Sequence, residues 1–133
     1  MKEILQNYIN NEWMLCDLYQ QAAKLATLPQ EEKALLNFAK NCEDIHENLK
    51  QIYWEAFGEV YEPHGEKIKM QGDYRDLLNQ IQTIELEYFL EYRSHTYHQD
   101  NPYFKEAMRE YADYKLAHTL DVQAMLIYMN GHD

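Results

Sequence analysis

The chain has 133 residues, enough for one domain over residues 1–133, and 46% of them are hydrophobic, which suits an ordinary buried core. Its 23 acidic and 12 basic residues leave a net charge of −11, a field that repels phosphate backbones and anionic lipid and so excludes nucleic-acid and membrane-surface roles. No run approaches the ~18 apolar residues of a membrane span, and Glu3 stands where a signal peptide would be basic, so a cytoplasmic protein is expected.

The first helix is expected over Lys2 to Ala26. Leu5, Ile9, Glu12, Cys16, Tyr19, Ala23 and Ala26 recur there at spacings of three or four and make one stripe. Pro29 opens the second helix, with Glu31 and Glu32 in its first turn. It runs to about Phe57, with Leu35, Ala39, Cys42, Glu43, His46, Leu49, Tyr53 and Phe57 inward and Gly58 as its stop. From Gly58 to Gly72 no period is sustained, so this stretch reads as a long connection.

Asp73 is a fair N-cap for the third helix, whose stripe is Leu77, Ile81, Glu85, Tyr88, Tyr92 and His95, ending near His98. Asp100, Asn101 and Pro102 break the chain. The fourth helix follows to about Met129, with Phe104, Met108, Tyr111, Lys115, His118, Val122 and Met125 inward. Four helices joined short, long, short predict an all-α, up-down-down-up four-helix bundle.

The two halves repeat each other. Glu12 precedes Tyr19 by seven residues, as Glu85 precedes Tyr92, and His46 and His118 lie 34 and 33 residues after those glutamates. Counted from the first turn at a rise of 1.5 Å per residue, Glu12, Glu43 and His46 all stand roughly 21–26 Å from it. The same count brings Glu85 level with Lys115 and His118. Each sits on an otherwise apolar stripe, where an unpaired carboxylate costs several kcal/mol or takes up a proton. Ionisable groups at one level call for a shared partner, and a metal is the usual one.

With these residues in place the chain resembles the ferritin-like superfamily, and within it the rubrerythrin-type di-iron domain. Glu12 with Tyr19 and Ala22-Ala23 looks like that family's first helix, Glu43-Asp44-Ile45-His46 matches its second-helix motif, Glu85 with Tyr92 looks like its third, and Ala112 precedes His118 by six as in its fourth. The resemblance implies Glu12, Glu43, His46, Glu85 and His118 as metal ligands, with Glu43 bridging, and oxygen- or peroxide-linked oxidoreductase chemistry fed by an external electron donor. Two departures stand out. The fourth helix reads Lys115-Leu116-Ala117-His118 where the family keeps a second Glu-x-x-His, and Tyr88 stands where rubrerythrin has a further carboxylate. A rubredoxin segment with paired Cys-x-x-Cys motifs is also missing from this sequence.

Three carboxylates balance one divalent ion plus the Lys115 ammonium. Two readings follow: a site holding one or two ions of iron, manganese or zinc, or a metal-free, non-catalytic bundle for assembly or partner binding in which Lys115 replaces metal charge. Trp13, Trp54 and Phe89 are candidates for a homodimer contact. Cys16 and Cys42, nearly level on adjacent helices, are either two small core residues or a redox-sensitive pair. Glu91, His95 and His98 read as a solvated helix end or a weak ion site.

Overall fold

A computed structural model of the chain describes residues 1–65, 72–97 and 101–131. It contains α1 (Lys2–Leu25), α2 (Pro29–Phe57), α3 (Tyr74–Tyr97) and α4 (Pro102–Gly131). Contacts divide the chain into two compact units, Met1–Gln71 and Gly72–Asp133, and each is an α-helical hairpin. Among the described residues no helix is long and apolar enough to cross a membrane.

In the first unit α1 buries Leu5, Tyr8, Ile9, Leu15, Leu18 and Tyr19 against Leu35, Phe38, Cys42, Ile45, Leu49 and Tyr53 of α2. The stripe of α1 is wider than the three-or-four spacing picks out, and Cys16 and Ala26 are only half-buried. Gly58 closes α2 in the left-handed region (φ +68°), its N–H donating to the Trp54 carbonyl at 2.8 Å. Phe57, expected on the inner face, is 37% exposed, because the helix ends there; its ring leans on Tyr53 at 5.0 Å and lies under the Lys2 ammonium at 5.6 Å.

The start of the long connection is not loose. Tyr53 hydroxyl donates to Glu59 Oε1 at 2.7 Å and accepts from Gln6 Nε2 at 2.9 Å. Tyr61 hydroxyl lies 2.8 Å from His64 Nδ1 and 3.0 Å from Asn10 Nδ2, and the His64 N–H donates to Asn10 Oδ1 at 3.1 Å. These bonds strap residues 58–65 across α1. The expected connection also spans 66–71, which lie outside the described residues.

In the second unit a reciprocal cap begins α3. Asp76 N–H donates to Asp73 Oδ1 at 3.0 Å and Asp73 N–H to Asp76 Oδ2 at 3.1 Å. Gly72 precedes it at φ +79°, and a Cβ there would collide with the Asp76 carboxylate. Asn101 caps α4 through Oδ1, which accepts from the N–H groups of Tyr103 and Phe104 at 2.9 and 3.2 Å. All seven residues expected inward on α4 are buried.

The hydrogen bond from Asp76 N–H holds the Asp73 carboxyl below its ordinary value of 3.8. A group depressed in the folded state stabilises above that value, and its contribution is lost as pH falls below it. Asp73→Ala is therefore expected to lower the melting temperature by a few degrees near neutral pH, with the gap closing below pH 3.8. Asp73→Asn, which still offers an acceptor, should keep most of the cap. Thermal melts of the three proteins against pH check this.

Candidate functional site

The second hairpin builds its polar centre from three side chains. Glu85 faces α4 one turn before Tyr88, and Lys115 and His118 are three apart on the facing stripe. Lys115 Nζ stands 3.2 Å from Glu85 Oε1, and His118 Nδ1–H donates to Glu85 Oε2 at 2.6 Å. Glu85 and Lys115 are 0% exposed and His118 is 2% exposed. The carboxylate thus joins an ammonium and an imidazole inside the protein, at the common height that residue counting predicts. Tyr92 and Tyr111 close the next layer, edge to face at 5.6 Å.

The first hairpin is built differently. Glu12 is fully buried and His46 nearly so. His46 Nδ1–H donates to the Ile9 carbonyl at 3.0 Å, one turn before Glu12. This fixes the ring and leaves Nε2, 3.9 Å from Glu47 Oε1, as its remaining polar atom. Tyr19 and Phe38, edge to face at 5.5 Å, repeat the Tyr92–Tyr111 layer.

Glu43 departs from expectation. It is exposed and lines an open surface groove of about 310 Å³ with Trp13, Cys16, Asp17, His46 and Glu47. Periodicity alone misleads here: Glu43 is four after Ala39 and three before His46, yet it lies about 100° around the helix from Cys42. Cys42, Ile45 and Leu49 define the centre of the buried stripe.

Among the described residues no three His, Cys, Asp or Glu side chains come together in a group that could hold a metal ion. The residues of the second hairpin, as arranged, do not fit one. Lys115 sets a cation against one oxygen of Glu85, and His118 spends Nδ1 on the other.

The remaining candidates are scattered. Cys42 is fully buried and Cys16 half-buried, its sulfur 3.7 Å from Gln20 Nε2. Burial raises the Glu91 carboxyl above its ordinary value while His95 pulls it down; His98 lies outside the described residues. Trp54 is exposed, and Trp13 and Phe89 are half-buried, each lining a different groove. Residue spacing gave no sign of the strap at Asn10, Tyr61 and His64, which joins a helix to an aperiodic segment, nor of the cations around Phe89, whose spacing of four on each helix is that of any solvated face.

No family model and no curated protein matches the sequence. Among solved structures, the chain is similar to a hypothetical protein from Pyrococcus furiosus, with a TM-score of 0.87 over 99% of this chain and 91% of that one, at 17% identity. The likeness is one of fold, an all-α four-helix bundle.

Proposed function

We propose that the chain is a ferritin-like bundle of rubrerythrin type in which Lys115 has taken over the charge of a metal ion, and that it works as a non-catalytic binding module. The observation that carries this reading is the fully buried Lys115–Glu85 pair at 3.2 Å, completed by His118. A buried carboxylate needs a positive partner. In the metal proteins that the sequence resembles, an ion supplies it; here a side chain does, at the position where those proteins carry a further acid.

Melting the protein, purified without chelator, with and without EDTA tests the reading. The expected melting temperatures agree, because nothing bound only to the folded state is removed. Lys115→Glu, which recreates a second Glu-x-x-His, is expected to fall in stability through like-charge burial and to recover on adding manganese, iron or zinc. One or two ions per wild-type chain, with a melting temperature that EDTA lowers, would overturn the proposal.

A second reading is favoured by one observation in the first hairpin. His46 is oriented through Nδ1 by a backbone carbonyl, as metal-binding histidines are, and shares its groove with Glu43 and Glu47. Those side chains do not by themselves close into a group that could hold an ion, so on this reading His46 would anchor a single ion whose coordination water completes. On that reading His46→Ala abolishes the bound ion and Lys115→Met does not.

A further inference from the structure

Aligning the hairpins on Glu12 with Glu85 and His46 with His118 exposes a difference on their outer faces. Leu90, Leu116 and Leu120 occupy the positions of Asp17, Asp44 and Asn48. They are 57%, 39% and 60% exposed, so the core of the hairpin does not account for them; Leu116 and Leu120 stand one turn apart on α4, as Leu90 does from the 44%-exposed Leu86 on α3, so each helix carries a row rather than scattered points. Arg93 likewise replaces Gln20, and Arg109 replaces Asn37.

These cations meet at one end of the row. Arg93, Lys105 and Arg109 line an open groove of about 280 Å³ floored by Phe89, Ala112 and Leu116, with Asp113 its one acid. Three of the chain's 12 basic residues thus gather on a protein of net charge −11. The contacts of the two arginines are weak. Arg93 rests over the Phe89 ring at 5.9 Å, and Arg109 makes an exposed pair with Glu106 at 3.6 Å.

Resting on the reading of the chain as a binding module, we infer that this face docks an acidic amphipathic helix of a partner protein. Its apolar residues, spaced three and four apart, would lie along Leu90, Leu116 and Leu120, and its carboxylates would reach Arg93, Lys105 and Arg109. The chain's net negative charge disfavours an anionic bilayer as occupant. An extended peptide has no strand edge to join among the described elements.

The test is selection of a displayed helical peptide library on the full chain, with Leu fixed at helical spacing and Glu, Gln or Lys at the other positions. Glu-rich helices are expected to be enriched. Binding of the winners should weaken by about tenfold in Arg93→Glu, Arg109→Glu and Leu120→Glu and fall with added salt. These side chains are on the surface, so unchanged melting curves keep a loss of binding distinct from a loss of fold.

Enrichment of neutral or basic helices, no enrichment at all, or binding untouched by Leu120→Glu overturns the inference. So does sedimentation showing a wild-type dimer that Leu120→Glu dissolves, which would make the face a contact between copies. The EDTA melts are independent: a metal-dependent protein that still selects acidic helices loses the functional reading and keeps this one.

Discussion

Lys115→Met is expected to lower the unfolding free energy by about 3–5 kcal/mol, the usual cost of removing one partner of a buried ion pair. Glu85 would then keep its charge inside the protein without the ammonium beside it, or take up a proton. Either way the loss exceeds what the similar volume of a methionine restores. Adding Glu85→Gln should return part of the stability, since the carboxylate that needed Lys115 is gone. Denaturant melts of the wild type, both single variants and the double variant form a cycle that isolates the coupling. Independent, additive losses would mean that the 3.2 Å pair is a neighbourly accident.

Tyr53→Ala is the second large effect, expected at about 3–5 kcal/mol, as for other buried aromatic side chains cut back to alanine. The Tyr53 ring is 1% exposed and packs on Phe57 and Tyr61, while its hydroxyl links Gln6 to Glu59. Tyr53→Phe keeps the ring and loses only hydrogen bonds whose partners can turn to water, about 1 kcal/mol. The two variants separate packing from strapping. Limited proteolysis supplies the second readout, because cleavage within residues 58–65 should rise in Tyr53→Ala and in Tyr61→Phe.

Much of this architecture was legible in the order of residues, for a simple reason. On α4 a stripe at alternating steps of four and three runs unbroken from Phe104 to Met125, and every member of it is buried. Counting residues from the turn at Asn101 was enough to set Glu85 opposite Lys115 and His118. Glu43 was misplaced because a residue at the margin of a stripe satisfies the same spacing as one at its centre. The Asn10–Tyr61–His64 strap was illegible because it joins a helix to an aperiodic segment across more than 50 positions. The outer leucines of α3 and α4 stood out only once the buried faces were known, since an apolar residue declares nothing about which side of a helix meets water.

The central claim is that the Lys115 ammonium, rather than a metal ion, balances the buried Glu85 carboxylate, and the Lys115 amine can be observed directly by ¹⁵N NMR of the side-chain nitrogens. A protected Lys115 ammonium resonance, slow to exchange with water, close to His118 and unmoved by added zinc or manganese, is the predicted result. A resonance that is absent or water-exchanged, or one that vanishes as an ion binds, would contradict it.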